Sequence, residues 1–195
     1  MLAGTGLPTT TLDEWAVEPK LDGWRALVSV ESGRLRVRTR RGRDITEAVP
    51  ELASIASCGH DVLLDGELCA KGGRMADFAG LSGRLAGRPK ATSLRVSLVV
   101  FDLLWLDGAD LMRRTYEDRR RALGELDLRA ATVVPSFLGE DAPDVLRFCD
   151  ATGLEGLMFK RLGSPYRQTR SYDWRKVKVA AWQQYAEHRR PKHLR

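Results

Sequence analysis

Apolar and polar residues alternate from Trp24 to Glu31, break at Ser32 and Gly33, and alternate again over residues 35–39. A period of two with a Ser-Gly turn between the runs predicts an antiparallel hairpin buried on one face. Over residues 47–57 the spacing changes. Val49, Leu52, Ile55 and Ala56 recur at helical intervals, with Thr46 placed as the N-cap. The run Val62–Ala70 (VLLDGELCA) predicts a strand whose apolar flanks enclose an acidic centre. Residues 75–85 predict a short helix ended by Gly87, Arg88 and Pro89. Residues 94–106, rich in Val and Leu, are the most strand-like run and predict a central strand. Thr115, with Asp118 three residues on, caps a helix running to Leu126, and Arg119, Arg120 and Arg121 read as its solvated side. Val133 and Val134 predict a short strand, residues 143–151 a helix stopped at Gly153, and residues 157–160 and 177–179 the closing strands. No repeat, low-complexity tract or linker divides the chain. This order predicts one α+β domain with mainly antiparallel sheets flanked by helices.

Composition narrows the class. At 195 residues, 43% hydrophobic and 30% charged, the chain is globular, and neither disorder nor a disulfide scaffold fits. Its longest apolar stretch, Val96–Leu106, is broken by Ser97 and Asp102 and falls far short of the ~20 residues that span a bilayer. The first fifteen residues lack the positive start and long apolar run of a signal peptide. Cys58, Cys69 and Cys149 are scattered without C-x-x-C spacing, which predicts buried thiols in a reducing cytoplasm rather than a zinc site or disulfides. His60, His188 and His193 do not build a metal centre or a catalytic triad. The 32 Lys and Arg against 26 Asp and Glu give a net charge of +6, which favours a polyanionic partner.

The sharpest local feature is Glu18-Pro19-Lys20-Leu21-Asp22-Gly23-Trp24-Arg25. Pro19 argues against a helix interior, so Lys20 sits on a loop or strand edge. A lysine beside other cations loses proton affinity, which makes its amine a nucleophile near neutral pH. Alone, the same octapeptide reads equally well as a surface turn with a solvated Lys-Asp pair.

The octapeptide does not stand alone. Lys20-Leu-Asp-Gly-Trp-Arg25 resembles the signature motif of the covalent nucleotidyltransferases: ATP-dependent DNA ligases, RNA ligases and capping enzymes. Further segments resemble the family's other motifs in the same order: Thr39-Arg40-Arg41-Gly42, Leu64-Asp65-Gly66-Glu67-Leu68, the segment from Val100 to Gly108 (VFDLLWLDG) and Glu155-Gly156-Leu157-Met158-Phe159-Lys160. Gly163-Ser164-Pro165-Tyr166-Arg167 and then Arg170-Ser171, Trp174, Lys176 and Lys178 resemble the closing segment of DNA ligases. Met75 to Phe78, with Leu81 and Arg84, resembles the ligase helix between the third motif and the aromatic strand. The resemblance covers nearly the whole chain and is strongest to the adenylation domain of bacterial ATP-dependent DNA ligases, including the end-joining type.

It implies an ATP-grasp-like nucleotidyltransferase fold and a covalent lysyl-AMP at Lys20, passed to the 5′-phosphate of nicked duplex DNA and followed by sealing. On the family pattern Lys176 and Lys178 meet the α-phosphate, Glu18 the adenine amino group and Glu67 the ribose. Phe101 stacks on the base, and Arg25 holds sugar or incoming phosphate. Glu155 helps hold Mg²⁺ or Mn²⁺, and Arg40, with Arg41 the weaker match, contacts DNA phosphate. Without the family, Phe101 reads as core, the two lysines as a solvated edge pair, Glu67 and Glu155 as partners of nearby arginines, and Glu18 as a solvated carboxylate before Pro19. Asp65 reads as support for its strand.

After Lys178 seventeen residues remain, too few for the OB-fold domain that usually follows in ligases. The expected organisation is therefore an adenylation domain over 1–180 and a basic tail over 181–195 with no OB-fold domain. Expected too are weak sealing without an OB-fold partner in trans, a monomer, and a cytoplasmic, nucleoid-associated bacterial setting in DNA repair and recombination. The competing readings are a non-enzymatic ligase-derived subunit that binds nucleotide or DNA, and an RNA ligase.

Overall fold

The computed structural model describes residues 1–70, 78–85 and 94–179. The first residues of the expected helix at 75–77, its stop at Gly87 to Pro89 and the basic tail lie outside the described residues. In chain order the strands are β1 (Leu2–Thr5), β2 (Trp15–Lys20), β3 (Trp24–Glu31), β4 (Arg34–Thr39), β5 (Val62–Ala70), β6 (Val96–Leu106), β7 (Ala109–Asp110), β8 (Ala131–Val133), β9 (Phe137–Leu138), β10 (Gly156–Arg161) and β11 (Arg170–Lys178). The helices are α1 (Phe78–Leu85), α2 (Tyr116–Gly124) and α3 (Ala142–Thr152). Two sheets form, ordered β1-β11-β10-β2-β9 and β4-β3-β5-β6-β7, with β8 added parallel to β6. Except for β1–β11 and β6–β8, the pairs are antiparallel, as the chain pattern predicts.

Each sheet buries one face against its own apolar cluster. Val28, Val37, Leu64 and Leu98 pack with Leu52, Ile55 and Leu81 behind the second sheet. Val17, Leu157 and Phe159 pack with Val145 and Cys149 of α3 behind the first. The faces turned away from these clusters carry the polar residues of the sequence motifs. No helix among the described residues is long and apolar enough to cross a membrane.

The hairpin predicted from alternation, the acidic-centred strand and the Val- and Leu-rich central strand all form where expected. Three expectations change. First, the hairpin after Gly23 does not open the fold, because β1 and β2 precede it. Five of the six β2 residues are buried, so its two covered faces leave no alternation to read. Pro19 is accommodated because β9 pairs only with Ala16 and Val17, leaving that edge of β2 open beyond them. Second, the segment at 46–57 is 3₁₀ rather than α-helical, split into Thr46–Ala48 and Pro50–Ser57. Pro50 has no N–H and disfavours helical backbone at Val49. Thr46 does not cap; its hydroxyl accepts the Val37 N–H at 2.9 Å and donates to Asp44 Oδ1 at 2.6 Å.

Third, the Arg119-Arg120-Arg121 run is not a solvated face. Arg121 is exposed, but Arg119 is fully buried and makes a two-point ion pair with the equally buried Asp102 of β6, Nε to Oδ1 at 2.7 Å and Nη2 to Oδ2 at 3.0 Å. The carbonyls of Arg114 and Ser164 accept its Nη1 protons at 2.7 and 3.2 Å. A buried guanidinium is tolerable because its donors are met this fully. The helix start is as predicted: Thr115 Oγ1 accepts the Asp118 N–H at 3.1 Å. Thr115→Ala removes that cap and is expected to cost about 1 kcal/mol, read as a melting temperature lower by roughly 2–4 °C; an unchanged temperature would contradict it.

Candidate active site

Cross-strand register gathers most of the motif residues. In β2, β10 and β11, directly opposed residues share a face. One row reads Lys20, Gly156, Lys178; the next Glu18, Met158, Lys176; the third Ala16, Lys160, Trp174. Five charged residues from three strands, Glu18, Lys20, Lys160, Lys176 and Lys178, thus come together on one face of the first sheet. Gly156 is required by this geometry. Its φ is +153°, and a Cβ there would run into the backbone carbonyl of Val177. Gly23 plays the same part beside β5, where a side chain would meet the carbonyl of Leu68.

The second sheet supplies the opposite wall. Arg25 stands across from Glu67, and Asp65 lies two residues along on the same face. In β6, Asp65 pairs with Asp102 and Gly66 with Val100, so Phe101 is the extra residue of a β-bulge. The bulge frees Phe101 from the ladder and turns its ring toward the first sheet, edge-on to Trp174 with centroids 5.9 Å apart. A cavity of about 270 Å³ lies between the two walls, lined by Glu18, Lys20, Arg25, Arg40, Glu67, Phe101, Met158, Lys160, Trp174 and Lys176 among others. Beside it, Arg40 and Arg41 border an adjoining depression that shares Arg25 and Glu67.

Lys20 ends β2 with its Nζ ion-paired to Glu155 Oε2, while Lys178 Nζ lies 3.2 Å from Glu155 Oε1. Burial holds the Lys20 ammonium below the ordinary lysine range, and Lys176 and Lys178 push the same way against Glu67 and Asp22. Burial also raises the Glu67 carboxyl to about 7, with Lys20 and Arg25 opposing. Arg25 is fixed rather than free. Its Nε and Nη2 donate to Asp65 at 2.9 and 2.5 Å, and Tyr166 Oη donates to the same carboxylate at 2.7 Å. Asp65, expected to support its own strand, instead orients Arg25.

Glu18 is buried, not solvated. Tyr116 Oη donates to its Oε1 at 2.5 Å, and Lys160 Nζ lies 2.7 Å from its Oε2. Lys160, 1% exposed, also donates to the Phe101 carbonyl at 2.9 Å and sits 4.3 Å from the Trp174 ring centre. Burial draws its ammonium down, against the pull of Glu18 and Asp102. Lys160, Tyr116 and Trp174 were given no role from the sequence. For Lys160 a signal existed: it follows four uncharged residues of its strand and shares parity with Gly156 and Met158. Tyr116 offered none, since its helix meets Glu18 only in three dimensions.

Among the described residues no three His, Cys, Asp or Glu side chains cluster as a metal site. The donor set at Lys20 contains one carboxylate in ion-pair reach, Glu155. That fits a Mg²⁺-type ion that arrives with phosphate oxygens and keeps its waters, not a cation caged by protein ligands alone.

The family model described as ATP dependent DNA ligase domain matches residues 5–178. The chain is 35% identical over 169 residues to the multifunctional non-homologous end joining protein LigD of Mycolicibacterium smegmatis, covering 85% of this chain and 22% of that protein. It is 37% identical over 195 residues to a probable DNA ligase of Streptomyces griseus, covering 90% of this chain and 38% of the relative. The chain thus spans between a fifth and two fifths of these relatives. A mycobacterial DNA ligase D complexed with ATP and MES superposes with a TM-score of 0.75 at 32% identity, covering 91% of this chain and 58% of that one. A Chlorella virus DNA ligase-adenylate shares the fold, with a TM-score of 0.64 at 18% identity over 91% of this chain and 67% of that one.

Proposed function

Because this chain belongs to the ATP-dependent DNA ligase domain family, we propose that it is a ligase catalytic core in which Lys20 takes AMP from ATP and passes it to the 5′-phosphate of a DNA nick. The observation that carries this reading is the placement of Lys20 in the cavity lining, with Lys176 and Lys178 on the same sheet face two strands away on β11.

The chemistry follows from the arrangement. The neutral Lys20 amine attacks the α-phosphorus; an N–P bond forms, the P–O bond to pyrophosphate breaks, and the amine proton leaves. Depressed proton affinity at Lys20 raises the fraction of amine ready to attack. Lys176 and Lys178 neutralise charge that builds on the phosphoryl and leaving oxygens, and fixed cations in a partly dry site do this with little reorganisation. Glu18, held from below by Tyr116 and Lys160, keeps lone pairs for the adenine amino group, and Phe101 offers its face to the base. Glu67 meets the ribose and Arg25, locked by Asp65, the sugar or incoming phosphate. Glu155 would hold the Mg²⁺ or Mn²⁺, which when bound neutralises phosphate charge. Arg40 and Arg41, exposed at the mouth, receive DNA phosphate. The functional unit in this reading is an adenylation domain over 1–180 with a basic tail over 181–195. It acts as a monomer in the bacterial cytoplasm and seals efficiently with an OB-fold domain or an OB-fold protein in trans.

Incubation with ATP labelled at the α-phosphate and Mg²⁺ tests the first step. An acid-labile protein adduct is expected, and its rate of formation should climb with pH and level off below 10.5, because only the neutral amine attacks and burial lowers the Lys20 value. Absence of an adduct, or a rate still rising at and above pH 10.5, contradicts the proposal.

A further inference from the structure

The hairpin carries charge that the ATP chemistry does not use. Arg34, Arg36 and Arg38 alternate along β4, all exposed, while Val37 between them is fully buried. Register fixes which way they face. Arg38 opposes Leu27, Arg36 opposes Ser29 and Arg34 opposes Glu31. Leu27 in turn opposes Asp65, and Arg25 opposes Glu67. The three arginines therefore project from the same face of the second sheet that walls the cavity, on its outermost strand. Successive members stand about 7 Å apart, two residues along an extended chain. The row leads to the exposed Arg40 and Arg41, and Arg40 already lines the cavity.

Little opposes this charge. Among the described residues none of Arg34, Arg36, Arg38, Arg40 and Arg41 makes an ion pair within 4 Å. The facing carboxylates are Glu31, opposite Arg34, and Asp44, which bridges to Arg38 through the backbone and whose Oδ1 is taken up by the Thr46 N–H and hydroxyl. The charges also blunt an open sheet edge, and for that purpose any charged residue would serve. A row of one sign, one residue type and one face, ending at the catalytic mouth, is what a phosphate track requires.

We infer that Arg34, Arg36 and Arg38 form a phosphate-binding track that carries the backbone of duplex DNA away from the nick held at Arg40. This rests on the ligase reading above and extends its DNA footprint along the whole edge strand. Guanidiniums suit the task because they stay charged and bind phosphate oxygens in pairs.

The test compares three full-length proteins by their affinity for a nicked duplex across a salt series: the wild type, the triple variant Arg34→Gln, Arg36→Gln, Arg38→Gln, and a charge-matched control Arg121→Gln, Arg129→Gln, Arg147→Gln. The control removes equal charge from exposed arginines that pair with Asp118, Asp127 and Asp144. Each phosphate contact contributes about 0.9 to the slope of log affinity against log salt, so the track variant should lose about 2 to 3 from the slope while the control keeps the wild-type value. Equal slopes in track variant and wild type, equal losses in both variants, or no duplex binding by the wild type would each overturn the track. Lysyl-AMP formation, measured on the same proteins, separates the outcomes. A wild type that forms no adduct defeats the ligase reading itself, whereas normal adduct with unchanged salt slope defeats the track alone.

Discussion

Replacing Lys20 with alanine is expected to leave the protein folded and to reduce covalent AMP below detection. The nucleophile supplies the atom that bonds to phosphorus, so its loss removes the reaction path rather than slowing it. Lys160, Lys176 and Lys178 do not substitute. Lys160 is enclosed by Glu18, the Phe101 carbonyl and the Trp174 ring, and Lys178 is drawn to Glu155. Lys20→Arg should fail as completely, because a guanidinium does not deprotonate in this pH range. Folding should survive, since Lys20 is only partly buried and its partner Glu155 retains Lys178. Intact-mass or label measurement on both variants, with a melting curve for each, decides the matter. A retained adduct in a folded Lys20→Ala protein would show that another residue is the nucleophile.

The second large effect is on stability. Arg119→Ala leaves the Asp102 carboxylate buried with the Leu103 N–H, at 3.0 Å, as its one remaining hydrogen-bond partner among the described residues. Orphaning one member of a buried pair costs about 3–5 kcal/mol, which in a chain of this size lowers the melting temperature by roughly 10 °C. The double variant Asp102→Leu with Arg119→Met should recover most of that loss, because no uncompensated charge remains. Calorimetry or circular dichroism melts of the single and double variants test this, and a single variant within 1 kcal/mol of wild type would refute it. The effect should reach the cavity as well. Asp102 adjoins the bulged Phe101, and Arg119 also braces the carbonyl of Ser164, two residues before the Tyr166 that holds Asp65.

The contrast between Arg119 and Arg121 shows where sequence reasoning stops. Both are arginines on one short helix, and although spacing places Arg119 on the same face as the buried Tyr116 and Leu123, nothing local supplies the counter-charge that burial of a guanidinium needs. The buried carboxylate that draws Arg119 inward belongs to β6, 17 positions away. Glu18 is a second instance: beside Pro19 it reads as a surface carboxylate, yet its three neighbours are Tyr116 and Arg120 of α2, the latter 3.9 Å away, and Lys160 of β10. Phe101 is a third. Its strand was legible from Val and Leu content, but the bulge that aims the ring depends on how β5 and β6 pair.

The sequence by itself determined the hairpin, the long strands, the capped helix and the ordered motifs that place this chain in its family, because period, turn residues and caps act over a few neighbouring positions. Four strands escaped it: β1, only four residues long, β7 and β9, two residues each, and β2, which is covered on both faces and so has no period. What only the tertiary structure decided is how the motif residues stand toward each other. Lys20 and Lys178, more than a hundred positions apart, share one face because antiparallel register sets each opposite Gly156, and Glu155 beside that glycine reaches both. Register, bulges and the pairing of buried charges are properties of whole sheets, settled only when each strand has found its partner.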